Sequence, residues 1–253
     1  MSVRARACVP TGDDASGRQG TKMSEEQECK ITITKNGPYI VTGDVPLSVQ
    51  VIGTNADGGS WEWEQGRTLP SSGTVALCRC GKSSNAPFCD GTHAKVGFDG
   101  TETASRASFD QQKTVLDGPT MTLEDARPFC AVARFCDNFG TAWDLIAQTN
   151  DPVQRELLIH EATRCPSGRL VARDKSTGQA IEPEFEPSIG IVEDPAEDCS
   201  GPLWVRGRIA LKSEGGEAYE ARNRMTLCRC GQSKNKPFCD GCHVEVHYKD
   251  GRE

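Results

Sequence analysis

Two stretches of the chain place three cysteines and one histidine at the same short spacing. Residues 78–93 read CRCGKSSNAPFCDGTH, and residues 228–243 read CRCGQSKNKPFCDGCH. Two ligands one residue apart can reach one metal from an extended segment, and ligands four positions apart lie on one face of a helical turn. The spacing therefore predicts two metal centres of four ligands each: Cys78, Cys80, Cys89 and His93, and Cys228, Cys230, Cys239 and His243.

The residues between the ligands suit a tight metal-binding loop in both copies. A glycine that permits a sharp turn follows the second cysteine, and a proline stiffens the return of the chain. A serine hydroxyl can donate a hydrogen bond to the loop or to a sulfur, and an aspartate stands where a helix cap is needed. These residues are Gly81, Ser83, Pro87 and Asp90, and Gly231, Ser233, Pro237 and Asp240.

Zinc and iron–sulfur clusters are the two candidate occupants. Three cysteines and one histidine are a common zinc set, and zinc would make the chain a zinc-stabilised protein-binding module. Zinc ligands are usually separated by two to four residues, however, and here a single arginine separates the first two cysteines. The spacing therefore favours an iron–sulfur cluster over a mononuclear zinc site.

Both motifs resemble the CDGSH iron–sulfur domain of the mitoNEET-like family, C-x-C-x2-[S/T]-x3-P-x-C-D-G-[S/A/T]-H. Thr92 occupies the variable slot in the first copy, whereas Cys242 departs from the pattern in the second. Cys242 is a spare thiol, a redox-active group or an alternative ligand, and we favour the spare thiol.

The resemblance implies a 2Fe–2S cluster in each copy, with two ligands on each iron. By position, one iron is held by the first two cysteines and the other by the third cysteine and the histidine. The pairs are Cys78 with Cys80 and Cys89 with His93, then Cys228 with Cys230 and Cys239 with His243. Without an N-terminal membrane span, the chain is most similar to the soluble tandem type.

The elements that must position these ligands also repeat along the chain. In each copy an alternating strand, a Gly-rich turn and a second strand lead to the first cysteine. One hairpin cannot bury enough apolar surface by itself, so two copies are expected to pack together. We predict an α+β protein in which two small β-rich units, residues 29–115 and 200–253, pack as a pseudo-dimer around a mainly helical insert, residues 116–199. Residues 1–28 are predicted to be a disordered tail.

The insert carries a weaker cysteine pattern. Cys130, Cys136 and Cys165-Pro166 resemble a divergent mono-cluster ferredoxin with three cysteine ligands, in which Ala133 replaces the missing cysteine. These cysteines are either ligands of a third iron–sulfur cluster or ordinary buried residues. Helices are predicted from Pro152, after an Asp151 cap, to about Thr163, from Thr141 to Thr149, and around 123–135.

Composition narrows the function classes. Thirteen cysteines, an odd number bunched at short spacings, suit metal binding in a reducing compartment, so we expect a cytoplasmic protein. A net charge of −7 without a basic stripe argues against nucleic acid and anionic membranes as partners. No nucleotide loop or nucleophile motif supports an enzyme. We therefore expect a monomer that transfers electrons, or stores and transfers clusters, with a redox partner or an apo-acceptor protein.

Overall fold

A computed structural model describes residues 29–251 of the chain. This part is an α+β fold in which thirteen strands form three sheets, and its five α-helices have at most thirteen residues. The tail predicted for residues 1–28 lies outside the described residues. Within residues 29–251, no helix combines the length and the apolar character needed to cross a bilayer.

The first repeat consists of short strands that lead to its ligand motif. Its elements are β1 (Lys30–Ile33), β2 (Tyr39–Thr42), β3 (Leu47–Thr54), β4 (Ser60–Leu69), β5 (Val75–Leu77), α1 (Thr92–Lys95) and α2 (Phe109–Gln112). The β3–β4 hairpin turns where the Gly58 N–H donates to the Asn55 carbonyl at 3.1 Å, as the Gly-rich sequence predicts. β5 ends directly before Cys78 and so delivers the first ligand.

The middle segment folds around a sheet of its own. Its elements are β6 (Thr114–Asp117), β7 (Met121–Asp125), α3 (Ala142–Leu145), α4 (Pro152–Arg164), β8 (Leu170–Asp174) and β9 (Ala180–Ile181). The four strands form an antiparallel sheet in chain order. Leu145 of α3 and Leu158 of α4 are buried with Leu123 of β7 in one apolar cluster.

The prediction of a mainly helical insert was therefore wrong in part. α4 begins at Pro152 as predicted, because the Asp151 carboxylate accepts a hydrogen bond from the Val153 N–H at 2.8 Å. α3 is capped by Thr141, also as predicted, and continues as a 3₁₀ turn to Gln148. The helix predicted around 123–135 is instead β7 and a 3₁₀ turn, because β7 pairs with strands on both sides and Pro128 prevents a longer helix.

The second repeat exchanges strands with the first. Its elements are β10 (Ser188–Asp194), β11 (Cys199–Arg206), β12 (Ala210–Lys212), β13 (Arg224–Leu227) and α5 (Cys242–Glu245). β12 pairs in parallel with β1, and β3 of the first repeat pairs in parallel with β10. The sheet orders are β12-β1-β2-β5 and β13-β11-β10-β3-β4, so each sheet takes one strand from the other repeat. β10 lies ahead of the boundary predicted at residue 200, yet it belongs to the second of these sheets.

The two sheets share one hydrophobic core. Ile31 and Leu77 from the first repeat are buried in the same cluster as Leu203 and Leu227 from the second. Burial of apolar side chains is the main favourable term in folding, and a shared cluster makes the position of each repeat depend on the other. This arrangement fixes where β5 and β13 deliver the first ligand of each motif.

Candidate metal centres

The first ligand pair of the first repeat lies at the end of β5. The Sγ atoms of Cys78 and Cys80 are 3.7 Å apart, and both side chains are buried. The Cys78 N–H donates to the Pro87 carbonyl at 2.7 Å, which ties the beginning of the loop to its return. A separation near 3.7 Å is that of two ligands on one tetrahedral metal with bonds of about 2.3 Å.

The second pair is held by the turn that precedes α1. Cys89 Sγ lies 3.3 Å from His93 Nδ1. The Asp90 carboxylate accepts hydrogen bonds from the Ser84 N–H at 2.9 Å, the Ser84 hydroxyl at 2.8 Å and the Thr92 N–H at 2.9 Å. Hydrogen bonds from Thr92 and Ser84 hold the pKa of Asp90 far below its usual range, so the carboxylate that supports the turn stays ionised.

The second repeat reproduces this geometry. Cys228 and Cys230 have Sγ atoms 3.8 Å apart, and Cys239 Sγ lies 3.4 Å from His243 Nδ1. The Ser233 hydroxyl donates to the Phe238 carbonyl at 2.7 Å, as Ser83 does to Phe88 in the first repeat, so these serines support the loop rather than a sulfur. The structure thus brings together all eight predicted ligands as four pairs.

These pairs fit a two-metal centre better than a single ion. Within residues 29–251, no group of three or more histidine, cysteine or acidic side chains converges on one ion-sized position. A structural zinc site needs four donors around one point. Two separate pairs, each spaced for one metal atom, instead match a centre in which two irons have two protein ligands each.

The two ligand loops touch each other through their backbones. Gly81 has φ +68° and lies so close to the Cys230 carbonyl that a Cβ could not be accommodated, and Gly231, with φ +80°, lies against Cys80 in the same way. The Tyr39 hydroxyl donates at 3.1 Å to the carbonyls of Cys228 and Pro237, which links β2 of the first repeat to the loop of the second. The glycine prediction is confirmed, and its reason includes this close approach.

Burial distinguishes the two centres. Cys89 and His93 are only partly buried, whereas Cys239 is 2% exposed and His243 is 3% exposed. Val132 of the middle segment lies directly against Gly241, in the turn that carries these two ligands. Burial also lowers the pKa of His243 to about 4, so its imidazole stays in the neutral form that binds metal.

Three cysteines of the middle segment line one cavity. Cys130, Cys136 and Cys165 surround a space of about 220 Å³ whose wall also includes Ala133. Val132 and Arg134 have positive φ angles of 55° and 61°, a backbone form that concentrates N–H groups around an anion. Three thiols on one cavity with such a loop indicate a third metal centre, although ordinary burial alone also explains a cysteine.

Charge in this cavity is poorly compensated without a metal. Burial, together with the nearby Cys165 thiol, raises the pKa of Cys136 to about 12. Beside the cavity, Glu161 of α4 is fully buried, and its Oε1 accepts hydrogen bonds from the N–H groups of Asn138 and Phe139. Its Oε2 has no partner, and burial raises the pKa of Glu161 to about 7. The sequence analysis missed this residue, which no motif marks.

The remaining cysteines and histidines keep the roles expected for them. Cys242 Sγ lies 3.7 Å from Cys230 Sγ, and its side chain is partly buried. His160 pairs with Glu62 at 3.1 Å and stacks on Trp61, so it is a paired helix residue. His247 is exposed.

Comparison with known families agrees with this geometry. Residues 36–94 and 200–244 match the model described as iron-binding zinc finger CDGSH type, and residues 116–175 match the model described as divergent 4Fe-4S mono-cluster. The chain carries two CDGSH segments around a mono-cluster segment. No curated protein and no solved structure gives a significant match. The CDGSH segments contain all eight paired ligands, and the mono-cluster segment contains the three cysteines of the cavity.

The sequence analysis also missed the arginines of the CDGSH segments. Arg79 and Arg229 stand between the first two cysteines, and both are fully buried. Their recurrence in both CRC motifs was the available signal, but the motif alone does not show that these charges are buried beside the ligands.

Replacing Glu161 with glutamine is expected to stabilise the protein at about pH 8 and to change its stability little at about pH 5. The pKa of Glu161 rises from 4.5 to about 7 in the fold, so between these values the folded chain holds a proton that the unfolded chain has lost. The corresponding stability is present below about pH 4.5 and is lost as the pH rises through about 7, a loss of about 3 kcal/mol. Urea unfolding at both pH values measures it.

Glu156→Gln is the matched control, because Glu156 is an exposed residue of the same helix. It should have the same small effect at both pH values. An equal effect of Glu161→Gln at both pH values would contradict the burial argument.

Proposed function

We propose that the chain binds a 2Fe–2S cluster in each CDGSH segment and works as an electron carrier. The observation that supports this most directly is the division of each ligand set into two pairs, with donor separations of 3.3–3.8 Å. When bound, each cluster would supply a site that takes up and releases a single electron.

The protein side chains set the properties of these sites. A neutral histidine replaces one thiolate, so the centre carries one negative charge less and its potential should be higher than with four cysteines. Burial of Cys78 and Cys228 keeps water from one side of each site. The N–H groups of Gly91 and Gly241 donate to the sulfurs of Cys89 and Cys239 at 3.5 and 3.4 Å, which also favours the reduced, more negative state.

Cluster storage and transfer is the second candidate function. It is favoured by the partial exposure of Cys89 and His93, which gives an acceptor protein access to one edge of the first site. Histidine is also the ligand most easily displaced by a proton near neutral pH. A carrier would cycle without losing iron, whereas a donor would pass the whole cluster to an apo-acceptor.

A third iron–sulfur cluster in the mono-cluster segment extends the proposal. Cys130, Cys136 and Cys165 line the cavity and would supply three thiolates. Ala133 occupies the wall where the motif otherwise has a cysteine, so the protein offers three thiol ligands rather than four at this site.

The expected partners follow from the same proposal. A redox partner or apo-acceptor protein would act on the chain, and we propose a carrier rather than an enzyme. The exchange of β3 and β12 supports a monomer whose two CDGSH segments pack as an internal pseudo-dimer. A cytoplasmic location stays a prediction. The zinc-stabilised binding module remains the alternative, and no feature of the four donor pairs favours it.

His93→Cys and His243→Cys are each expected to lower the midpoint potential of one centre and to make that centre more resistant to acid. A thiolate adds one negative charge and removes the ligand that protons displace most easily. Redox titration followed by visible absorbance measures the potentials, and loss of absorbance at about pH 5 measures the acid resistance.

His247→Cys is the control for this pair, because His247 is exposed and lies four residues after His243. It should leave both potentials unchanged. Unchanged potentials in both ligand variants would disprove the ligand assignment.

Cys136→Ser is expected to reduce the iron and sulfide content per chain by the content of one cluster, because the cavity then keeps two thiols. Cys199→Ser is the matched control, since Cys199 is a buried cysteine outside the cavity. Equal metal and sulfide contents in both variants and in the unmodified protein would show that the three cysteines are structural.

A further inference from the structure

The arginine between the first two cysteines has different surroundings in the two CDGSH segments. Arg79 is 1% exposed, and its Nη2 donates to the Gly100 carbonyl at 2.8 Å. Its Nε and Nη1 have no hydrogen-bond partner in the part of the chain that the structure describes. The guanidinium instead lies 5.6 Å from the Tyr39 ring centre and 5.3 Å from that of Phe98. Arg79 is thus a buried cation that no carboxylate within residues 29–251 pairs with.

Arg229 occupies the equivalent position but is paired twice. It contacts the carboxylates of Glu193 and Asp250, each at 2.9 Å. It also donates to the carbonyls of Gly201 and Val192 at 2.8 Å. The formal charge of this group is therefore −1, whereas Arg79 contributes +1 beside the first site.

This difference acts directly on the reduction potentials. A reduced cluster carries one more negative charge than an oxidised one, so a nearby cation favours reduction and nearby carboxylates oppose it. The interaction is strong because all the charges lie in a buried region of low dielectric constant. Partial exposure of Cys89 and His93 acts in the same direction, because water stabilises the more charged reduced state.

The second segment also lies between the first segment and the mono-cluster segment. Asn235 Nδ2 donates to the Pro128 carbonyl at 2.8 Å, and Arg134 forms two hydrogen bonds with Asp194 at 2.7 and 2.8 Å. On its other side, the Gly231 backbone lies against Cys80 of the first segment. The backbone is therefore in contact from the cavity loop, through the second ligand loop, to the first.

We propose that Arg79, and the pairing of Arg229 with Glu193 and Asp250, give the two centres unequal potentials, so that electrons move from the second segment to the first. This inference rests on the proposed function. A reduced one-electron carrier protein loses one electron to the chain at the mono-cluster side. The second centre passes that electron to the first and returns to its oxidised state. The first then reduces an acceptor protein at the exposed edge near His93, and no bond is made or broken.

Redox titration of the cluster-loaded protein, followed by electron paramagnetic resonance, tests the proposal with dithionite as the reductant. Two separate potentials are expected. The higher one should be that which His93→Cys shifts, and the lower one that which His243→Cys shifts. A single shared potential, or the reverse assignment, would overturn the proposal.

Charge variants test the cause. Arg79→Gln should lower only the higher potential, and Glu193→Gln and Asp250→Asn should each raise only the lower one. Arg79→Lys keeps the charge and should preserve the order, which covers the case in which Arg79→Gln does not fold. Arg106→Gln, at a partly exposed arginine paired with Glu102, should change neither potential. If the acidic variants leave the lower potential unchanged, the proposal fails, whereas a protein without iron–sulfur signals would refute the proposed function itself.

Discussion

The backbone contact between the two ligand loops constrains the rest of the structure. Gly81 lies on the Cys230 carbonyl and Gly231 lies on Cys80, and main-chain atoms cannot yield to an added side chain. This contact requires both loops to be in place at once. The exchanged strands β3 and β12, together with the shared core, supply that mutual position. The geometry of each centre is therefore a property of both CDGSH segments rather than of one motif.

Burial then determines the electrostatics of the sites. It raises the pKa of the Cys80 thiol to about 11 and that of Cys239 above its ordinary value, so thiolates at these positions need a compensating positive charge. A bound metal supplies that charge, which couples cluster binding to the fold. The same reasoning applies to Cys136 in the cavity of the mono-cluster segment.

The sequence was sufficient for the ligands and insufficient for their surroundings. The repeated motif identified all eight residues of the four donor pairs, because two ligands one residue apart and two ligands at helical spacing need only local structure. It also predicted α4, since Asp151 and Pro152 are a local start signal. Strand β7 was missed because its pairing with β6 and β8 is not local, and Pro128 obscured its end. The carboxylate pairing of Arg229 and the isolation of Arg79 could not be predicted, since both depend on residues distant in sequence.

The measurement that tests the central claim most directly is the iron, zinc and acid-labile sulfide content of protein purified without oxygen, with its visible spectrum. The account predicts at least about four irons and four sulfides per chain, the content of two 2Fe–2S clusters, and more if the cavity of Cys130, Cys136 and Cys165 holds a third. About two zincs per chain in a colourless protein would contradict it and leave a zinc-stabilised binding module.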